Sequence, residues 1–152
     1  MPTIAPSYIY TFFALIIISS ILISSFAAYA STLRSVPELE QLNNLLSHVA
    51  AKGYELITLT TATNSTSETV IKLPSTIGDK QYWVRLRNGA SKVWVEGSLG
   101  SIHEGNVSTR VYLPKAVSAL GNYSSLDGPA ILECYLNGST ITLYLISWRD
   151  NA

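Results

Sequence analysis

The chain has 152 residues, with ten basic and ten acidic side chains and a formal net charge of zero. A neutral chain offers no electrostatic attraction to nucleic acid, so we predict no nucleic-acid partner. The one cysteine, Cys134, excludes an intrachain disulfide framework and a metal site built from cysteines. Every charged side chain lies at Arg34 or later, which divides the chain into an uncharged segment, residues 1–33, and a domain-sized remainder.

The uncharged segment has the length and composition of a membrane-spanning helix. A mostly apolar run extends from Tyr8 to Ala30, and about 20 such residues cross the hydrocarbon core of a bilayer. Tyr8, Tyr10 and Tyr29 stand near its two ends, as aromatic residues at membrane interfaces do. We therefore predict that residues 1–33 form a helix that lies in a membrane or in the core of a filament.

A cleavable signal peptide is the alternative for this segment, because Ala28-Tyr29-Ala30 has the form of a cleavage site. No Lys or Arg precedes the apolar run, and the run exceeds the roughly 7–15 residues typical of signal peptides, so we expect the helix to be retained. Arg34 closely follows the apolar run. By the positive-inside rule, this arginine would place the domain after the helix on the cytoplasmic side of the membrane. The glycosylation signals described below indicate the opposite orientation.

An amphipathic stalk is predicted for residues 34–53. Ser35-Val36-Pro37-Glu38 has the form of a capping box with proline in the first turn, and Lys52-Gly53 has the form of a C-terminal stop. The stalk is either a separate helix, about Pro37–Lys52, or a continuation of the first helix with a kink at Pro37. Its apolar stripe packs either on the chain's own β-domain or against neighbouring copies. The stripe consists of Leu39, Leu42, Leu46 and Val49, with Leu45 beside them.

Beyond Gly53 the apolar residues recur with a period of two, which indicates strands. Seven short strands separated by turn signals favour an all-β antiparallel sandwich for residues 54–152. The predicted strands are Tyr54–Thr61, Glu68–Leu73, Gln81–Arg87, Lys92–Glu96, Val107–Leu113, Ala130–Leu136 and Thr140–Ile146.

The Asn137-Gly138 pair predicts a hairpin between the last two strands. A two-residue turn there pairs Cys134 with Ile141 and directs both side chains to the core. Cys134 is therefore predicted to be a buried small apolar residue and not a nucleophile. The same register pairs Leu132 with Leu143 and Ala130 with Leu145.

The Asn88-Gly89 pair predicts a second hairpin, in which Trp83 and Trp94 lie on the face away from the core. A two-residue turn pairs the two tryptophans, whereas a four-residue loop keeps the faces and offsets the pair. Two explanations remain for tryptophans beside Arg85 on this face. Either the stalk helix or a loop covers them, or they form an interaction patch, since aromatic residues and arginine are enriched at contact sites.

Four Asn-x-Ser/Thr sequons begin at Asn64, Asn106, Asn122 and Asn137. All fall at predicted turns or strand ends, where a glycan can be accommodated. They predict a glycosylated β-domain on the extracytoplasmic side of a cell membrane. The alternative is that they are ordinary polar turns, and at Asn137 the hairpin alone explains the Asn-Gly pair.

The sequence carries none of the common active-site motifs. Gly97-Ser98-Leu99-Gly100 has the wrong spacing for a nucleophile elbow, and P-loop, dinucleotide and zinc-protease patterns are absent. His103 and Glu104 are adjacent, so on an extended chain their side chains point apart. We therefore predict a protein that is not an enzyme, with no catalytic residues, no cofactor and no metal.

The chain combines an apolar helix, an amphipathic continuation and a sequon-bearing β-domain. Several local segments carry the resemblance that this combination suggests. They are Ile4-Ala5-Pro6 before the apolar run, and Leu73-Pro74, Gly78-Asp79, Val93–Gly97 and Tyr112-Leu113-Pro114 in the β-domain. Across its whole length the chain resembles archaeal type IV pilin-like proteins in architecture. It is also similar to archaellum stator proteins, which are monotopic. The resemblance implies an immunoglobulin-like sandwich and either a filament subunit or an envelope anchor.

Three functions therefore remain open. A filament subunit would be a homo-oligomer with residues 8–33 in a helical core, where Ser20, Ser24 and Ala27 form one small-residue face for close helix packing. An envelope anchor would hold the helix in the membrane and use the β-domain to bind another surface protein. A membrane-tethered enzyme or ligand-binding module, the third possibility, would need a deep polar pocket in the β-domain.

Overall fold

The structure, a computed structural model, describes residues 4–90, 92–101, 107, 109–113, 117–138 and 140–148. Within these residues the chain forms a long helix followed by a seven-stranded sheet. The elements are α1 (Ile4–Thr63), β1 (Ser67–Ile71), β2 (Tyr82–Asn88), β3 (Val93–Leu99), β4 (Thr109–Leu113), β5 (Val117–Ser124), β6 (Ala130–Asn137) and β7 (Thr140–Ser147). The chain divides into two compact units, Met1–Pro37 and Glu38–Ala152.

In the first unit, α1 is long and apolar enough to cross a membrane, as predicted, and its most apolar stretch is not buried. Every side chain from Tyr8 to Leu33 is exposed. The hydroxyls of Ser20 and Ser24 donate to the carbonyls of Ile16 and Ser20, each over 2.8 Å. Because these serines are satisfied within the helix, they can lie in an apolar environment without losing a hydrogen bond.

In the second unit, α1 lies on one face of the sheet through a stripe of buried side chains. They recur every three or four residues, which is the spacing of one helix face. The stripe confirms that Leu42, Leu45, Leu46 and Val49 pack on the chain's own β-domain, whereas Leu39 of the predicted stripe is 45% exposed. Its members are Leu42, Leu45, Leu46, Val49, Ala50, Leu56, Ile57 and Thr60.

The predicted helix end at Gly53 and the predicted strand Tyr54–Thr61 are wrong, because α1 continues to Thr63. The β-branched residues of this stretch favour a strand by propensity. Leu56, Ile57 and Thr60 nevertheless continue the buried helical stripe, and tertiary packing overrides a propensity difference of less than about 1 kcal/mol per residue. Helix α1 also runs through Pro37, as in the alternative of one continuous helix.

The seven strands form a single sheet in the order β1-β6-β7-β5-β2-β3-β4. All neighbours are antiparallel except β5 and β7, which are parallel. The sheet is therefore mixed, and among the described residues its apolar face packs on α1 and not on a second sheet. The predicted antiparallel, immunoglobulin-like sandwich is not confirmed.

Strand β5 was not predicted, although it lies in the middle of the sheet between β2 and β7. Its Gly121 pairs with Leu86 of β2 and Leu145 of β7. A φ of 122° excludes ordinary L side chains at this position, and a Cβ would stand 2.0 Å from the Leu145 carbonyl oxygen. This glycine interrupts the alternation that identifies a strand from sequence. The six remaining predicted strands all overlap observed ones.

Both predicted hairpins form, with shifted registers. Asn137 pairs with Thr140, so Cys134 faces Leu143 instead of Ile141. Asn88 pairs with Val93, which leaves a four-residue loop and places Trp94 opposite Arg87 instead of Trp83. Each shift is an even number of residues, so the predicted faces are preserved.

The core between α1 and the sheet contains Cys134, which is fully buried as predicted. Thr60 of α1 donates a hydrogen bond of 3.4 Å to the Cys134 carbonyl. Burial raises the pKa of the Cys134 thiol, which keeps the sulfur protonated and unreactive. At the other side of the core, the Tyr82 and Tyr123 rings lie 6.4 Å apart, centre to centre.

Candidate functional site

The sheet face away from α1, here called the outer face, carries the residues that the sequence singled out in the β-domain. Strand alternation places Tyr82, Val84 and Leu86 in the core, so Trp83, Arg85 and Arg87 belong to the outer face. Pairing with β3 and β4 brings further polar and aromatic side chains beside them. We call the set the Trp–Arg cluster: Trp83, Arg85, Arg87, Lys92, Trp94, Glu96, Arg110 and Tyr112.

Glu96 is the centre of the cluster, with a side chain only 4% exposed. Its carboxylate accepts a 2.8 Å hydrogen bond from the Trp94 indole N–H and a 3.3 Å bond from Arg87 Nε. Arg110 Nε lies 3.5 Å from the same carboxylate. A buried carboxylate needs this number of donors, because an unpaired buried charge is strongly destabilising. The network fixes the Trp94 ring and both guanidinium groups in place.

Three cations lie over aromatic rings of the cluster. Arg85 stands 5.2 Å from the centre of the Trp83 ring, and Arg110 stands 5.6 Å from that of Trp94. Lys92 stands 5.2 Å from the centre of the Tyr112 ring. Each pair is within the range of a favourable cation–π contact. The rings thus hold the cations in defined positions, and the surface presented to solvent is mainly cationic.

The stalk helix does not cover the tryptophans, because α1 packs on the opposite face of the sheet, so the helix half of that explanation is wrong. Cover by a loop stays a prediction, with which the burial of Trp83 agrees. Trp83 is 2% exposed, Trp94 is half-buried and Tyr112 is 59% exposed. A shallow groove of about 270 Å³ lies beside the cluster. Leu120 and Asn122 of β5 line it together with both β2 arginines. An anionic or aromatic group of another molecule is the kind of ligand that this surface can accept.

The opposite edge of the outer face is acidic. Glu68 of β1 pairs directly with Glu133 of β6. Neither carboxylate forms an ion pair with another residue in the described ranges. Two like charges directly opposite each other destabilise a strand pair. The sequence could not reveal this pair, because Glu68 and Glu133 are far apart in the chain. Nor could it reveal the Glu96 network, which depends on the registers of β3 with β2 and β4.

The asparagines of three of the four sequons lie in the described residues. Asn64 follows the last turn of α1 with a φ of 52°, and Asn137 ends β6; both are exposed. Asn122 is also exposed, but it lies within β5, opposite Arg85, and not at a turn or strand end. The predicted position was wrong because β5 was not predicted. Asn106 and the His103–Glu104 pair lie outside the described residues.

The predicted helix face of Ser20, Ser24 and Ala27 is exposed along its whole length in the first unit. The Ser20 and Ser24 hydroxyls donate to carbonyls one turn back in the same helix. The arrangement leaves a narrow strip of small side chains bordered by large aliphatic ones, which lets another helix approach closely.

Within the described residues, no group of three or more His, Cys, Asp or Glu side chains could hold a metal ion. A second groove, of about 350 Å³, lies beside α1 between Leu45, His48 and the segment that follows β1.

Comparison with known proteins gives no further guidance: no protein-family model, curated protein or solved structure matches the chain.

Proposed function

We propose that this protein is a structural subunit of an archaeal type IV pilus-like surface filament, in which residues 8–33 form the helical core and the β-domain forms the outer sheath. The observation that carries the proposal is the contrast between the two units. The second unit buries its apolar residues in a core of its own. The first unit exposes every side chain from Tyr8 to Leu33, so this helix needs lipid or other helices around it.

The small-residue face supports association with like helices. Lipid tails are as apolar as leucine, so helices in a membrane associate through close packing and not through the hydrophobic effect. Ser20, Ser24 and Ala27 provide that packing surface, and both serine hydroxyls donate to carbonyls of the same helix. A helix of this kind can leave the membrane for a bundle of its own copies without a large change in its surroundings.

The sheath role assigns the sequons to the outside of the filament. Asn64 and Asn137 are exposed at the ends of α1 and β6, where an attached glycan would not disturb strand pairing. In this proposal the β-domain is extracytoplasmic, the protein is a glycoprotein of the cell surface, and it has no enzymatic activity.

Substitution of Ser24 by leucine tests the helix seam. Leucine is favourable in lipid, so Ser24→Leu leaves membrane insertion unchanged while it obstructs close helix packing. Ser25→Leu is the matched control, since it makes the same change on the same turn but away from the small-residue face. We expect the fraction of protein in sheared surface filaments to fall in Ser24→Leu and to stay near the wild-type value in Ser25→Leu. Equal polymer in all three chains would show that this face is not the seam.

A membrane-anchored binding protein is the second candidate, and the Trp–Arg cluster is the observation that favours it. Arg85, Lys92 and Arg110 are held over aromatic rings on a face that α1 leaves free. Such a surface suits an acidic patch on another envelope protein. This candidate predicts detergent-soluble particles of one or two copies, and Ser24→Leu would then leave the protein's behaviour unchanged.

A further inference from the structure

The sheet ends in two strands that each have a neighbour on one side only. Among the described residues, β1 pairs with β6 alone and β4 pairs with β3 alone. Both edge strands are five residues long. The outward backbone N–H and C=O groups of an edge strand are a template for pairing with another chain.

The directions of the two edge strands suit pairing between copies that face the same way. Along the sheet every step is antiparallel except β7 to β5, so β1 and β4 run in opposite directions. If one copy is placed beside another with α1 on the same side, β4 of the first meets β1 of the second as an antiparallel pair. Antiparallel pairing is the more stable arrangement per residue.

The outer-face side chains of the two edges are complementary. Strand β1 presents Glu68 and Val70, and strand β4 presents Arg110 and Tyr112. Val70 is 49% exposed and Tyr112 is 59% exposed, although both are large apolar residues. The acidic edge also contains Glu133, which leaves two carboxylates on one side of the domain without an ion pair in the described residues.

We propose that β4 of one copy pairs with β1 of the next, so that the sheets of neighbouring copies join and Glu68 of one copy meets Arg110 of the other. The inference rests on the proposed filament function and assigns the contact between its sheath domains. The contact joins two different surfaces of the same chain. Such a head-to-tail contact repeats without limit unless the rotation between copies closes a ring.

The register of this contact is restricted to even shifts, because an odd shift would turn the apolar face of one strand to the outside. Three even registers pair at least three residues of each strand, and two of them bring Glu68 of one copy near Arg110 of the next. In one, Glu68 is directly opposite Arg110; in the other, Glu68 is opposite Tyr112 and diagonal to Arg110. Diagonal neighbours are about 7–8 Å apart at Cα, which long side chains can span. The carboxylate therefore reaches the guanidinium group in both registers.

Disulfide trapping in the full-length chain tests the contact. A disulfide needs Cα atoms within about 7 Å, so each register has its own double variant: Glu68→Cys with Arg110→Cys, or Glu68→Cys with Tyr112→Cys. One of these two chains should form a ladder of dimers, trimers and longer species when surface material or membranes are oxidised. Each single variant should stay monomeric, because one cysteine of a head-to-tail contact has no partner. The wild-type chain controls for Cys134, which is buried. Dimers of a single variant would show a symmetric contact and overturn the proposal.

A charge variant covers the case in which Arg110→Cys weakens the Glu96 network. Glu68→Lys and Glu133→Lys each relieve the repulsion within the acidic pair, so both should fold. We expect Glu68→Lys to lower the polymer fraction by about tenfold through like-charge repulsion of Arg110 in the next copy, with little change for Glu133→Lys, one strand further in. Equal polymer fractions for both variants would overturn the contact.

Electron microscopy of the same samples separates this inference from the filament proposal. Filaments together with a ladder in either double variant support both. Filaments without a ladder, and with Glu68→Lys unaffected, overturn the edge contact and leave the filament function standing. A ladder from membranes that contain no filaments supports the edge contact and overturns the filament function.

Discussion

Gly53 of α1 lies against Leu143 of β7 so closely that a Cβ on the glycine would stand 3.0 Å from Leu143 Cδ2. The glycine is inside the helix, ten residues before its end at Thr63. Glycine in a helix interior costs about 1 kcal/mol relative to alanine. Its position is explained by packing: the missing side chain lets the helix approach the sheet.

Substitution of Gly53 by leucine should destabilise the β-domain by about 1–3 kcal/mol, because overpacking of the helix–sheet contact outweighs the gain in helix propensity. Ala51→Leu is the matched control, since Ala51 is exposed on the same part of the helix and surface changes stay within about 0.5 kcal/mol. Urea unfolding in detergent, followed by tryptophan fluorescence, measures both. Equal stability of the two variants would contradict the close contact.

Cys134 should behave as a buried apolar residue. Cys134→Ser places a hydroxyl in the packed core and should lower the free energy of unfolding by about 1–3 kcal/mol. Cys134→Ala introduces no polar group and should lower it less. Because burial raises the pKa of the Cys134 thiol, the native protein should react slowly with a bulky maleimide and react fully once unfolded in urea. Rapid labelling of the folded chain would contradict the assignment.

The free energy of unfolding should decrease in alkaline solution, because burial raises the pKa values of Tyr82 and Tyr123. In the folded domain, Tyr82 donates to the Pro74 carbonyl and Tyr123 to the Gly128 carbonyl. The folded state therefore favours the protonated phenols. The stability that the two phenols contribute is complete below the pKa of about 10 that tyrosine has in the unfolded chain. It is lost as the pH rises toward the higher pKa values of the folded state.

Tyr82→Phe should reduce this loss of stability above about pH 10, since one of the two buried phenols is removed. Tyr54→Phe, at an exposed helix position, is the control and should follow the wild-type profile. Urea unfolding at a series of pH values from neutral to alkaline measures the effect. If all three chains lose stability equally as the pH rises, the buried tyrosines are not responsible.

Removal of residues 1–33 should release a soluble, folded β-domain. The buried core lies within Glu38–Ala152, and no charged residue precedes Arg34. Circular dichroism and sedimentation of the 34–152 fragment measure this. An unfolded or insoluble fragment would show that the domain needs the apolar helix or a neighbouring copy.

Elements with a regular pattern were predictable from the sequence, and those set by tertiary packing were not. The apolar run before Arg34 and six strands follow from composition and alternation. The strand predicted over Tyr54–Thr61 failed because β-branched residues favour strands locally, whereas burial against the sheet keeps them in a helix. Strand β5 escaped detection because Gly121 interrupts its pattern.

The candidate site was predictable to a similar degree. The position of Trp83, Arg85 and Trp94 on the outer face followed from strand alternation and was confirmed in the observed registers. The ion pairs of Glu96 with Arg87 and Arg110 could not be foreseen. Arg87 is a neighbour of Glu96 only in the observed register of β2 with β3, and Arg110 only through the pairing of β3 with β4. The opposition of Glu68 and Glu133 likewise joins residues far apart in the sequence.

Electron microscopy of material sheared from the surface of cells that express the wild-type chain tests the central claim most directly, with antibodies against the β-domain to identify the protein. The filament account predicts filaments that the antibodies label along their whole length, with most of the protein in the sheared fraction. If the protein is found entirely in the membrane fraction, as detergent-soluble particles of one or two copies and never as polymer, the filament account is wrong.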